Sequence, residues 1–247
     1  MKTLLKNTLN KYAINCDNIC IENLCKFVDY MKEYNQTHNI TAIKEDDEIV
    51  YKHLLDSLLP INELQYNKCF NQKDTITHNK TNILDIGCGA GFPSIPLAIC
   101  DNNLNITAID SVGKKTNFVN NVKNMLNISN LKVIHTRIEE FAQKSEFREQ
   151  FDIVTSRAVA PLNIILEYSA PMLKNNGYIF AYKGSNYKEE IEQATNAMKI
   201  LNCNIEEIYE YSVDEIQAKR YILKIKKNSN ISNKYPRKQN KPRLQPL

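Results

Sequence analysis

Apolar residues recur at helical spacing through the first sixty positions, and beyond position 82 the pattern switches to short apolar clusters separated by amphipathic stretches. Ile21, Leu24, Phe27, Val28 and Met31 fall on one helical face, and Ile49, Leu54, Leu55, Leu58 and Leu59 form a second stripe that Pro60 ends. Between them, residues 35–43 read as a polar connection with a short β-like run, and residues 67–82 as a loop. The clusters at 83–86, 106–109, 133–134, 151–154 and 178–181 have the character of strands buried on both faces. Residues 115–126, 162–173 and 188–201 read as helices, so the repeated strand and helix units predict an open parallel sheet covered on both sides. Residues 205–213 and 221–227 then alternate with no room for a helix between them, which predicts an antiparallel hairpin. Three regions follow: a helical part over 1–66, an α/β domain over 67–227 and a tail over 228–247. The tail is rich in Ser, Asn, Lys and Pro and is expected to be extended or mobile until it meets a partner.

Composition narrows this picture. With 247 residues, 43% of them hydrophobic and 24% charged, the chain is globular over most of its length. No apolar run approaches the ~18 residues that a bilayer span needs, and the start carries no secretory pattern, so a cytoplasmic protein without membrane attachment is expected. The seven cysteines include no Cys-x-x-Cys pair and the four histidines show no ligand spacing, so no metal is expected and the thiols read as reduced. Cys16 and Cys20 are spaced to share a helix face. The net charge of +4 hides an asymmetry: ten of the 32 basic residues lie in 219–247 with no acidic residue, leaving 22 basic against 28 acidic before them. A basic tail on an acidic body is the electrostatic footprint expected for a polyanion such as nucleic acid.

The glycines carry the chemistry. Only six occur, and three of them, Gly87, Gly89 and Gly91, fall within five positions directly after the first predicted strand. Glycine there permits positive φ and lets backbone amides approach a ligand with no Cβ in the way. Asp85 precedes the run, and Asp110 ends the next strand, where a carboxylate can accept the two hydroxyls of a ribose. A dinucleotide fingerprint would need glycine three positions after Gly89, where Phe92 stands, and a Walker loop would need Gly-Lys-Ser/Thr, which is absent. Gly-x-Gly-x-Gly with a preceding acid suits S-adenosylmethionine. The predicted fold class is therefore α/β, a seven-stranded Rossmann-like class I S-adenosylmethionine-dependent methyltransferase with a small N-terminal helical extension and a basic C-terminal tail.

The segment Asp85-Ile-Gly-Cys-Gly-Ala-Gly-Phe-Pro-Ser-Ile-Pro96 resembles the signature of the rRNA small subunit methyltransferase G family, also called glucose-inhibited division protein B. Asn39-Ile-Thr-Ala-Ile43, His53-Leu-Leu-Asp-Ser57, Asp110-Ser-Val-Gly-Lys-Lys115, Arg137-Ile-Glu-Glu140, Ser156-Arg-Ala-Val-Ala160, Tyr182-Lys-Gly184 and Tyr235-Pro-Arg-Lys238 extend the likeness over nearly the whole chain. The tail departs from it, because residues 239–247 contain no glycine. The resemblance implies N7 methylation of one guanine of 16S rRNA, conventionally guanine 527, with S-adenosylmethionine as donor; the expected partner is the 16S rRNA or the 30S subunit, and a monomer is expected. It also implies that Gly87 and Phe92 belong to the cofactor loop, Ile138 and Glu139 to the adenine end of the cofactor, and Arg157 to a position beside it.

Together these readings assign cofactor binding to Gly87, Gly89, Gly91, Phe92, Asp110, Ile138, Glu139 and Arg157. Arg157 and Lys183, at the ends of the fourth and fifth predicted strands, are the candidates for a catalytic role, and Lys183, Arg237 and Lys238 for substrate binding. His53 and Asp56 stay divided between packing and RNA contact. Three other readings compete: transfer to another RNA or a small molecule, an inactive RNA-binding protein of the same fold, and a redox enzyme.

Overall fold

The computed structural model describes residues 1–60 and 80–247, so the loop expected over 67–82 lies mostly outside the described residues, and its last two positions already belong to a strand. Seven strands form one sheet: β1 (Thr81–Ile86), β2 (Leu104–Asp110), β3 (Leu131–His135), β4 (Phe151–Arg157), β5 (Leu173–Lys183), β6 (Cys203–Val213) and β7 (Ala218–Lys227). Their order is β3-β2-β1-β4-β5-β7-β6. The β2/β3, β1/β4 and β4/β5 pairs are parallel, and β7 lies antiparallel to both β5 and β6, as the missing helix between the last two strands requires. Because the chain leaves β1 for one side of the sheet and returns to place β4 on the other, a topological switch point falls between β1 and β4.

The chain divides into two compact units that differ from the expected regions. One comprises Met1–Lys80 with Cys88–His135, the other Thr81–Gly87 with Thr136–Leu247. Neither the N-terminal helices nor the tail is a unit by itself, because each buries its apolar or charged face on part of the α/β layer.

In the first unit the helix Asn18–His38 starts at Asp17, whose carboxylate accepts the Cys20 N–H at 2.7 Å, and ends at Asn39 with φ 46°. Its stripe of Ile21, Leu24, Phe27, Val28 and Met31 is buried. Phe27 packs on Phe118 of the helix Gly113–Met125 with ring centroids 6.2 Å apart, and Tyr30 stacks on the same ring at 5.7 Å. The buried Asn130 amide donates to the carbonyls of Ala98, Asp101 and Leu104 at 3.3, 3.1 and 3.1 Å, fastening the turn between the helix Ser94–Cys100 and β2. Residues 39–45 form an irregular loop where a β-like run was expected. Cys16 precedes the helix that holds Cys20, so the two share no helix face; Cys16 Sγ meets Cys100 Sγ at 3.4 Å instead. Among the described residues no group of three His, Cys, Asp or Glu side chains is arranged to hold a metal, and no helix is long and apolar enough to cross a membrane.

In the second unit the helix expected over 162–173 ends at Ser169, since Leu173 already opens β5, and that expected over 188–201 divides into Tyr187–Gln193 and Thr195–Ile200. The larger correction concerns the tail, which is folded rather than extended. Arg148 donates to the carbonyls of Tyr235 and Ile231, and Gln143 to that of Pro236. Arg237 grips Glu167 through its backbone N–H at 2.8 Å, Nε at 2.9 Å and Nη2 at 2.7 Å. Glu167 is fully buried in the helix Leu162–Ser169, and a charge in that setting demands a paired, hydrogen-bonded partner. The tail supplies it, which is why residues 228–247 fold back.

Removing that partner leaves a buried carboxylate uncompensated. Arg237→Ala should lower unfolding free energy by about 3 kcal/mol in urea titrations, and Arg237→Met with Glu167→Leu should recover part of the loss. A tail that contributes nothing to folding would leave the urea midpoint of Arg237→Ala where it is in the parent protein.

Candidate cofactor and substrate site

Directly after β1 the backbone turns through three glycines at φ 69°, 56° and 86°. A Cβ on Gly91 would come within 2.3 Å of Ile95 Cδ1, and one on Gly87 within 2.6 Å of Val159 Cγ2, so both the torsions and the space exclude larger residues. In the first unit the loop is shaped by Cys88 N–H donating to Ile109 O at 3.0 Å and by Gly91 and Phe92 N–H groups donating to Cys88 O at 2.8 and 3.1 Å. Asp110, at the end of β2, is 7% exposed. Its Oδ2 accepts the Gly89 N–H at 2.9 Å and its Oδ1 the Val112 N–H at 2.8 Å. A carboxylate has about four lone-pair sites. One accepts from the glycine loop at Gly89 and one from Val112, and among the described residues two are left for donors from a ligand such as a ribose diol.

Phe92 lies 7% exposed and ties the glycine loop to the N-terminal helices. Its ring stands 5.2 Å from Phe27 and stacks on His53 at 4.4 Å with planes 18° apart. His53 belongs to a π-helical segment, Val50–Leu55, between the short helices Asp46–Ile49 and Asp56–Leu58, a local widening often found at functional sites. His53 Nε2 pairs with Thr41 Oγ1 at 3.1 Å, and Thr41 sits in a loop that Asn35 brackets. The Asn35 amide donates to Thr41 O at 3.0 Å and accepts the Ile40 and Thr41 N–H groups at 2.8 and 3.0 Å.

In the second unit the remaining candidates follow strands at their carboxyl ends. Gly87 follows β1, and Arg157 ends β4, in register with Tyr182 of β5. Thr155 Oγ1 donates to Asp85 Oδ1 at 3.0 Å across β1 and β4, so the acid ahead of the glycines joins the two strands flanking the switch point. Lys183 Nζ, expected to face substrate, donates to Glu190 Oε2 at 2.6 Å and to Ala160 O at 3.2 Å, with its side chain 8% exposed. Glu190 in turn accepts the Leu162 N–H at 2.9 Å, so the pair fixes the segment that follows Arg157. Ile138 is buried at the start of the helix Ile138–Phe141. Glu139 accepts Tyr168 Oη–H at 3.1 Å and Arg243 Nε–H at 3.1 Å, and burial together with that carboxylate raises the Tyr168 phenol well above its ordinary range. Arg237 is taken up by Glu167, whereas Lys238 and Lys241 are exposed without an ion pair among the described residues.

The glycine loop at the end of the first strand, an acid closing the second and the seven-stranded order define a class I methyltransferase fold. An S-adenosylmethionine-dependent methyltransferase of Aquifex aeolicus shares it with a TM-score of 0.53, at 14% identity over 76% of this chain and 97% of that one. At the level of sequence, residues 20–223 match the model of the rRNA small subunit methyltransferase G family. The ribosomal RNA small subunit methyltransferase G of Caldanaerobacter subterraneus is 37% identical over 99% of this chain and 97% of its own length. That of a Thermoanaerobacter species is 40% identical over 92% and 90%. The chain belongs to this family of methyltransferases.

Asn35 was not picked out by the sequence reading, although a signal was present: it lies four positions after Met31 on the buried stripe, so an amide occupies a core position. Asn35→Ala would strand two N–H groups and one carbonyl and should lower stability by about 2 kcal/mol, read from urea titration. An unchanged midpoint would mean that the loop 39–43 holds its shape without the amide.

Proposed function

We propose that the protein transfers a methyl group from S-adenosylmethionine to N7 of the guanine conventionally numbered 527 in 16S rRNA, acting as a cytoplasmic monomer on the rRNA or on the assembled 30S subunit. The observation that carries the reading is the glycine loop fastened to Asp110, in a chain whose family is named for methylation of small-subunit rRNA. When bound, S-adenosylmethionine supplies a sulfonium methyl that a ring nitrogen with an in-plane lone pair can take without first losing a proton. No general base is then required. The protein's task is to hold donor and base in line and to exclude water.

In this reading Gly87, Gly89 and Gly91 let the backbone approach the cofactor, Phe92 backs the loop, and Asp110 accepts the ribose hydroxyls. Ile138 and Glu139 serve the adenine end, with Glu139 held in place by Tyr168 and Arg243. Arg157 orients the guanine or a neighbouring phosphate. Lys183, tied to Glu190 and Ala160, acts as a positioning residue for the segment beyond Arg157. Lys238, exposed and unpaired among the described residues, meets the RNA backbone, and Arg237 supports it by anchoring the tail.

The test is to incubate the protein with labelled S-adenosylmethionine and either naked 16S rRNA or 30S subunits, and then to map modified bases by mass spectrometry. A single new N7-methylguanine is expected. Its absence from both substrates would overturn the assignment. With the active form in hand, Arg157→Ala and Lys183→Ala should each lower turnover by about tenfold or more, the loss expected when positioning is disturbed. Arg157→Lys should retain part of the rate, and full activity in both alanine variants would remove the two residues from the mechanism.

A further inference from the structure

The helix Asn18–His38 and the loop that follows it border an open cavity of about 270 Å³ inside the first unit. That volume lies near the lower end of small-molecule sites, ~300 Å³, and suits one nucleobase better than a whole cofactor. Ile43 gives it apolar surface over the buried Met31, and none of its described lining residues is acidic. Its walls are fastened by side chains: Asn35 spends its acceptor and a donor on the backbone of residues 40 and 41, and Lys32 is paired with Asp46.

Three lining groups are not spent. The amides of Gln36 and Asn39 make no side-chain hydrogen bond among the described residues, and Lys44 makes no ion pair there; all three are exposed. Two amides, each offering donors and an acceptor, with the apolar Ile43 and a lysine that has no ion pair among the described residues match the chemistry of an unstacked base with its phosphate. Amide side chains read base edges, and lysine meets the backbone charge.

The same cavity is joined to the glycine loop. Thr41, in its wall, pairs with His53, and the His53 ring stacks on Phe92, the residue after Gly91. A ligand seated against Thr41 therefore bears on the loop through one hydrogen bond and one ring stack.

We propose that this cavity is a subsite for one unstacked nucleotide of the RNA substrate, other than the methylated guanine, read by Gln36 and Asn39 and held at its phosphate by Lys44. The assignment rests on the function proposed above. Asn39 adopts φ 46°, so glycine is the replacement that leaves its backbone at ease. Gln36→Ala combined with Asn39→Gly should raise KM for the RNA about tenfold, with a smaller change in kcat and unchanged affinity for S-adenosylmethionine. Lys44→Gln should reduce the salt dependence of RNA binding by about one unit of slope. Substrate RNA carrying 4-thiouridine near the target should crosslink within residues 36–44, read by peptide mass spectrometry. An unchanged KM in the double variant together with crosslinks confined to other segments would overturn the subsite. So would an equal loss of cofactor affinity, which would mark the effect as structural. Wild-type protein that methylates no RNA would overturn the function itself and the subsite with it, whereas an active wild-type protein with that unchanged KM and those crosslinks elsewhere would overturn the subsite alone.

Discussion

The carboxylate of Asp110 is the fixed point of the candidate site. It ends β2, and it is held from two directions by backbone N–H groups, Gly89 at 2.9 Å and Val112 at 2.8 Å. Hydrogen bonds to a charged acceptor are roughly twice as strong as neutral ones, so these contacts set the carboxylate's orientation and pin the glycine loop together. The torsions at Gly87, Gly89 and Gly91 follow, because only positive φ lets the chain leave β1 and present Gly89 N–H to that acid. Phe92 then enters the layer of Phe27 and His53, so packing of the N-terminal helices and the shape of the loop are one problem. A site fixed in this way is organised before any ligand arrives, which lowers the cost of binding.

Much of this was legible in the chain itself. The βα alternation, the terminal hairpin and the glycine cluster depend on local periodicity and on the special torsions of one residue type, and each is found where the pattern put it. Several other features were not legible, for a common reason. Glu167 with Arg237 are 70 positions apart, Glu139 with Arg243 are 104 apart, and neither pairing has a signature in the residues around it. The π-helical segment at Val50–Leu55 hides under an ordinary helical stripe, because a single widened turn shifts the apolar positions too little to read. Composition did not reveal that the basic tail, chemically unlike a core, is held by the buried charge of Glu167.

That tail also changes how the charge asymmetry is to be understood. Arg237 and Arg243, whose planar guanidinium groups suit carboxylates, act as struts onto Glu167 and Glu139. Lys227 is buried against the Leu173 carbonyl and Glu149, and burial pulls its ammonium below the ordinary lysine range. Lys224 pairs with Glu206. The cations left for a polyanion are fewer than the sequence count implies, chiefly exposed lysines such as Lys238 and Lys241. Charge counted along a sequence is thus an upper bound on the charge that a partner meets.

The central claim is that the Asp110-anchored glycine loop is a preformed S-adenosylmethionine site. Isothermal titration of the full-length protein with S-adenosylmethionine, S-adenosylhomocysteine and NADH, repeated on Asp110→Ala, tests it most directly. The account predicts saturable binding of both adenosyl compounds and none of NADH, with affinity lost in Asp110→Ala while the fold persists. Saturable NADH binding without S-adenosylmethionine binding, or an Asp110→Ala protein that binds S-adenosylmethionine as the parent does, would contradict it.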